Sequence, residues 1–442
     1  MPERSRLWIS GLCAALLACG SAEAPTLSGD ATALPAASLK ESAAEEIPGL
    51  WRRLRPARVE LGLTPEQREE IARLEAIGYV SGSQQAPTRS GVTVYDRDRV
   101  VDGLNFYTSG HAPEALLIDM EGRVLHRWRV DFLEIWPDYP SEWLHAGAEY
   151  FRRAWLFENG EMLAIFEGIG IIRIDRDSNL LWAQPNKAHH DLQVMPNGDI
   201  YVLTRKGRII ERLDPTKPVL EDFVTILGPD GQEKQRVSLL EALERSTFRE
   251  LWDSSQIDRF GDIFHTNTIE VLDGRLANDL PAFRRGNVLI SMLKPDLIAV
   301  VDLDAEAVVW AYKGSFKKQH DPRILDNGNL LLFDNRGPKP PHSRVIEFAP
   351  ATPDETVWSY TGADERPFGS FSCGTADRLA GGNTLITESD HGRAFEVTPE
   401  GEIVWEFYTP YRANDDRELI ATLFEMVRLP IDFGKDWVGK PE

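Results

Sequence analysis

Five copies of one short pattern, a tight turn rich in Asn or Gly followed by an apolar run, recur along the 442-residue chain. The clearest is Asp326-Asn327-Gly328-Asn329 leading into Leu330-Leu331-Leu332-Phe333. Asn and Gly enter positive φ at low steric cost, so the cluster marks a turn, and the bounded apolar run marks a buried strand. Asn159-Gly160, Asn197-Gly198, Gly286-Asn287 and Gly382-Asn383 head matching strands. A second pattern, a turn running into an apolar strand that ends on tryptophan, closes at Trp128, Trp182, Trp310, Trp358 and Trp405. The last three stand 48 and 47 residues apart. A period of roughly 40–50 residues made only of short strands and turns is that of a propeller blade. Five copies of each pattern, offset by one at either end, predict an all-β fold: a six-bladed β-propeller with helical insertions and a short N-terminal extension. Strands between Val92 and Trp128 are expected to complete the ring with the C-terminal blade.

Residues 1–19 carry Arg4 and Arg6 ahead of the apolar run Leu7 to Ala18, which is too short to span a bilayer and has the shape of a secretion signal. Leu16-Leu17-Ala18-Cys19-Gly20 resembles a bacterial lipobox, although Leu17 stands where small residues are commoner. The expectation is an exported protein, in the periplasm or at the cell surface, held to a membrane by a lipid on Cys19. Loss of the leader removes Cys13, and acylated Cys19 leaves Cys373 without a partner, so no disulfide is expected. Cys373 then reads as a small buried hydrophobe. Residues 20–90 read as a tether with one helix near 64–77, opened by the capping box Thr64-Pro65-Glu66-Gln67 and stopped at Gly78. Residues 91–442 are the propeller, closed by a capping helix over Asp415 to Val427, where Leu419, Ile420, Leu423, Phe424 and Val427 share one helical face.

A formal charge of −21 argues against nucleic acid as a partner. Any anionic ligand must be drawn by a local cationic pocket. Two insertions between blades stand out. Asp131 to Tyr150 carries Trp136, Tyr139, Trp143 and Tyr150, and Ser238 to Trp252 has leucines at helical spacing. They either pack over the rim or wall a pocket for a flat ligand.

The histidines carry the functional signal. His190 stands seven residues before Asn197 and His320 seven before Asn327, while His265 opens His265-Thr266-Asn267 ahead of the Asp273-Gly274 turn. The first strand of each blade lines the axis of a propeller, so side chains in this phase converge. Three imidazoles can hold a metal such as zinc, or one can act as nucleophile or general base while the others bind an anion.

Ala188-His189-His190-Asp191-Leu192-Gln193, Phe264-His265-Thr266-Asn267, Gln319-His320-Asp321 and Arg378-Leu379-Ala380-Gly381-Gly382-Asn383, taken in order, resemble the bacterial, PAPS-independent arylsulfotransferases over roughly residues 92–430. The resemblance implies a six-bladed propeller, export, no cofactor, and transfer of a sulfuryl group from a phenolic sulfate to a phenolic acceptor. It makes His320 the nucleophile that forms a sulfohistidine, with His190 and His265 in support and His189 beside them. Asn267 is implied at the substrate. The resemblance admits a homo-oligomer and assigns no metal.

One position departs from the family pattern. An Arg is expected on the strand after the blade-four turn, and Ile290-Ser291-Met292-Leu293-Lys294 puts Leu293 there. A guanidinium donates two parallel hydrogen bonds to sulfate oxygens and a leucine none. Either Lys294 restores the charge, or Arg205 reaches the channel from the preceding blade, or the chain is a surface-anchored ligand- or metal-binding propeller that no longer transfers sulfate.

Overall fold

The computed structural model describes residues 63–75, 82–141, 144–255, 257–337, 342–363, 366–413 and 418–439. The leader, Cys19, most of the tether and Trp143 lie outside these residues.

Six sheets, each built on four antiparallel strands, follow one another around an axis, and in five of them the fourth strand out carries the predicted tryptophan; the fourth strand of blade three, Glu233–Ser238, has none. Blade two runs Arg153–Leu156, Met162–Phe166, Gly170–Ile174 and Leu180–Gln184. Blade three contains Ala188–Val194 and the long hairpin Ile200–Ile210 with Asp214–Leu227. Blades four, five and six begin at Thr266–Val271, His320–Ile324 and Thr375–Arg378. The inner strands of neighbouring blades touch, which brings residues distant in sequence to one axis.

Both ends of the propeller chain close the ring. Leu423–Leu429 is the innermost strand of blade one, pairing Leu104↔Leu429 and Thr108↔Glu425, and Gly91–Tyr95 is added outside blade six against Ile403–Tyr408. The capping helix expected over Asp415 to Val427 is therefore corrected: its described part is strand. Residues 423–427 are all buried, so both faces of this strand must be apolar or paired, and such a run satisfies helical spacing by accident.

Four of the five tryptophans tie one blade to the next. Trp128 Nε1 donates to Gly160 O at 2.9 Å, Trp182 to Pro229 O at 3.2 Å, Trp358 to Pro399 O at 2.8 Å and Trp405 to Met120 O at 3.0 Å. Each acceptor lies in a turn of the neighbouring blade, so a fourth-strand indole meets its buried-donor requirement only once the ring is assembled.

The two insertions pack differently from each other. Leu239–Glu244 is a helix capped by Ser238, whose Oγ accepts from Glu241 N at 3.1 Å, and it buries Leu239, Leu240, Ala242 and Leu243 over blades three and four. Trp136 and Tyr139 pack with Phe132 in the core between blades one and two. Tyr150 is fully buried against Phe424, Leu293 and Cys373 at one end of the axis. Helix Pro65–Glu75 carries the reciprocal capping bonds of Thr64 and Gln67, at 3.0 and 3.2 Å, and lies on the long hairpin of blade three. No helix among the described residues is long and apolar enough to cross a membrane.

Candidate active site

The inner strands of blades three, four and five begin with a bulge, and there the backbone of His190, His265 and Asp321 takes φ of 55°, 53° and 52°. Cys373 does the same in blade six, at 58°. A bulge re-aims side chains, and a left-handed non-glycine residue costs of order 1–3 kcal/mol, a price concentrated at functional sites. Here it turns the histidines of neighbouring blades onto one point.

His320 is fully buried. Its Nδ1 faces two acceptors, Lys318 O at 2.8 Å and Asn335 Oδ1 at 2.5 Å. Asn335 is oriented by its own amide, whose Nδ2 donates to Ser370 O and Cys373 O. Nδ1 must therefore carry the proton, which leaves the lone pair on Nε2. Nε2 is buried and has no hydrogen-bond partner among the described residues. Burial pushes the imidazolium down to about 3, against the Asn335 hydrogen bond that raises it, so the ring is neutral at pH 7.

Blade three contributes a histidine pair. His189 Nδ1 and His190 Nδ1 are 2.7 Å apart and share one proton in a hydrogen bond. Burial holds both well below the ordinary histidine value. The His190 ring stands 5.0 Å from that of His265, nearly perpendicular to it. Behind His265, Asp262 hydrogen-bonds its Nδ1. Burial pulls the Asp262 carboxyl up, but the charge and hydrogen bond of His265 prevail and hold it at about 2. Asp222, which accepts from Thr266 N at 2.8 Å and lies 3.6 Å from His189 Nε2, is lifted to about 7 by burial and by the charge of Asp262.

Glu167, from the turn between two blade-two strands, organises the cationic side. Its Oε2 accepts from His190 N at 2.9 Å and lies 3.6 Å from Arg152 Nε, while its Oε1 lies 3.5 Å from Arg205 Nη1. Burial raises the Glu167 carboxyl, and the two guanidinium groups oppose that rise. Arg205 Nη2 also donates to Glu75 O at 3.2 Å, so the N-terminal helix reaches the site. One residue further along the inner strands, Arg153 pairs with Asp191 at 2.8 Å and with Glu425, and Arg323 with Asp191 and Asp321 at 3.1 and 2.9 Å. This buried ion network braces the strands that carry the site.

His320, His265, His190, His189 and Arg205 thus come together. Asn267 does not present its amide to the axis: Nδ2 donates to Gln319 O at 3.0 Å and Oδ1 accepts from Thr268, so it holds the backbone before His320. Lys294 is half-buried, with its backbone N–H on Phe264 O at 3.0 Å and its charge acting on Asp262. Leu293 is buried against Tyr150, Cys373 and Phe424 and offers no donor side chain. Cys373 is disulfide-bonded, which corrects the expectation of an unpaired thiol; Cys13 and Cys19 lie outside the described residues. Glu167, Asp262 and Arg152 escaped sequence reasoning. Only Arg152 left a signal, because it stands seven residues before Asn159 as His190 does before Asn197.

Glu167, His189 and His190 place ligand atoms within 4.8 Å of one another, close enough for a metal ion. Arg152 and Arg205 face the same carboxylate and repel a divalent cation, so the charge of the cluster suits an anion better.

The model of the arylsulfotransferase (ASST) family matches residues 154–410, more than half of the chain. No curated protein matches it. Among solved structures, a protein of unknown function from Bacteroides caccae aligns at 14% identity with a TM-score of 0.48, covering 74% of this chain and 98% of that one. A streptogramin B lyase aligns at 12% identity and 0.41, covering 78% and 95%. The WD40 propeller domain of Doa1 aligns at 10% and 0.36, covering 66% and 73%. These likenesses are too distant to speak to function, and the propeller is assigned from its own six sheets.

Proposed function

The chain belongs to the arylsulfotransferase family, and from that premise we propose that it moves a sulfuryl group from a phenolic sulfate ester to a phenolic acceptor in two steps through His320. The Nε2 lone pair attacks sulfur, an N–S bond forms, and the S–O bond to the aryl oxygen breaks with its electron pair leaving on the phenolate. In the second step the acceptor oxygen attacks sulfur, the N–S bond breaks, and the acceptor proton passes to a base. His265 suits that base, and in the first step it can give a proton to the leaving phenolate, because Asp262 on Nδ1 orients the ring as the carboxylate does in a catalytic triad. His190, His189 and Arg205 are the neighbouring groups that would donate to the oxygens of the sulfuryl group.

The observation that carries this reading is His320 itself: a buried neutral imidazole whose Nδ1 is held by two acceptors and whose Nε2 has no hydrogen-bond partner among the described residues. A nucleophile needs a lone pair engaged by no other group and its other nitrogen anchored. Incubation with 4-nitrophenyl sulfate should add the mass of one SO3 group, mapping to His320, and release nitrophenolate faster when phenol is present. His320→Asn should abolish both in a folded protein, and an equally active variant sinks the assignment.

A second reading follows from the Glu167, His189 and His190 triplet, a metal-binding propeller without transfer activity. Stoichiometric metal in the purified protein, with no covalent adduct, is its signature. Export remains part of the proposal. The leader-shaped residues 1–19 and the disulfide at Cys373 both suit an oxidising compartment. A lipid on Cys19 requires that Cys19 take no part in that disulfide, so the mass of the mature N-terminal peptide decides between the two.

A further inference from the structure

We infer that Arg152 is a catalytic residue of the proposed transfer, donating to the oxygens of the sulfuryl group as it passes to His320; the inference rests on the reading above. Three independent placements lead to it. The first is register. Leu156, Val194 and Ile324 each pair with the first strand residue after the turn, namely Met162, Ile200 and Leu330. Four residues before each stand Arg152, His190 and His320. Blades two, three and five therefore present these three side chains at one level of the axis.

The second is contact. Arg152 is fully buried, and its Nε lies 3.6 Å from Glu167 Oε2, the oxygen that accepts the His190 amide. Its guanidinium carbon lies 4.8 Å from the centre of the Phe424 ring, and Phe424 packs in the cluster that holds Leu293. The Arg152 guanidinium is thus held between the histidine pair and the position where blade four has a leucine.

The third is charge. Arg152 and Arg205 both face Glu167, so positive charge gathers at the axis of a chain whose formal charge is −21. The charge of Arg152 is among the influences that keep His320 neutral, which is the state a nucleophile needs. Sulfuryl transfer places negative charge on oxygens that a planar guanidinium can hold by two parallel hydrogen bonds, and a lysine matches that geometry poorly. Arg152 also precedes the matched stretch 154–410, so the family match itself assigns it nothing.

The test uses the full chain in three forms: wild type, Arg152→Met and Arg152→Lys. Inorganic sulfate is titrated by calorimetry, the first turnover of 4-nitrophenyl sulfate is followed separately, and folding is checked by thermal unfolding. Arg152→Met should weaken sulfate binding about tenfold and lower kcat/KM by about 10²–10³-fold. Guanidinium ion in the buffer should restore part of that rate, and Arg152→Lys should fall between the two. Sulfate affinity and rate within threefold of wild type in folded Arg152→Met would overturn the inference. So would Met and Lys variants equally impaired in rate, with unchanged sulfate affinity and no guanidinium response, since a structural partner of Glu167 behaves that way. If Arg152→Met does not fold, the Lys variant carries the decision: sulfate affinity equal to wild type refutes the assignment, and a several-fold loss upholds it. Arg152-dependent sulfate binding without any transfer by wild type would uphold Arg152 as an anion ligand and sink the transferase reading instead.

Discussion

Replacing Asn335 by Asp tests the protonation logic of His320 directly. In the native site a neutral amide oxygen lies 2.5 Å from Nδ1, and burial sets the imidazolium at about 3. At pH 5 a group of that pKa is only about 1% protonated, so the nucleophile is intact. A carboxylate at the same distance favours the imidazolium, and an opposite charge so close typically moves a pKa by about 1–3 units. The acid limb of the first half-reaction should then rise to between about pH 4 and 6, and at the upper end the variant loses roughly tenfold at pH 5 relative to pH 8. An overall slowing at every pH is also expected, since the new charge faces an incoming anion, but the position of the limb is the diagnostic. Single-turnover release of nitrophenol, quenched into alkali so that product is read in one ionisation state, gives the profile. A wild-type limb near the ordinary histidine value, or superimposable profiles for wild type and Asn335→Asp, would refute the assignment of His320 as a neutral, Nδ1-protonated nucleophile.

Two further outcomes follow from the same geometry. Asp262→Asn removes the carboxylate that orients His265, and should cost about 10²–10⁴ in rate with poor leaving groups and much less with 4-nitrophenolate, which needs no proton; equal losses across a series of aryl sulfates would remove His265 from proton transfer. Trp405→Phe gives up the 3.0 Å bond to Met120 O and should cost about 0.5–1.5 kcal/mol in chemical unfolding, while Trp405→Ala should cost about 3–5 kcal/mol; a silent alanine variant would mean that the blade-to-blade ties do not hold the ring.

The repeat was legible because its signals are local. Asn-Gly turns, four-residue apolar strands and a strand-ending tryptophan are choices that each blade makes for itself, and their order alone predicts six blades. Even so, the reason for the tryptophan was not visible, since its indole partner is a carbonyl of the following blade. The C-terminal segment misled because Leu423 to Val427 is buried on both faces, and a short run of that kind fits period 3.6 as well as period 2. Asn267 was placed by its motif at the substrate, whereas the fold uses its amide to hold Gln319.

The sequence by itself determined the blade period and the phase in which His190 and His320 occur, because period and phase depend on residues a few positions apart. Only the tertiary structure decided which groups meet them. Glu167 comes from a blade-two turn, Asp262 from the approach to blade four, Asn335 from the turn after Leu330–Asp334 and Arg152 from the start of blade two, and none is a near neighbour in sequence of the histidine it serves except Asp262. Their convergence depends on closing the ring with Leu423–Leu429 and Gly91–Tyr95, strands from opposite ends of the propeller. Closure sums small strand-to-strand rotations over all six sheets. A local pattern encodes each rotation only loosely, so the axis where the chemistry is assembled exists only in the completed ring.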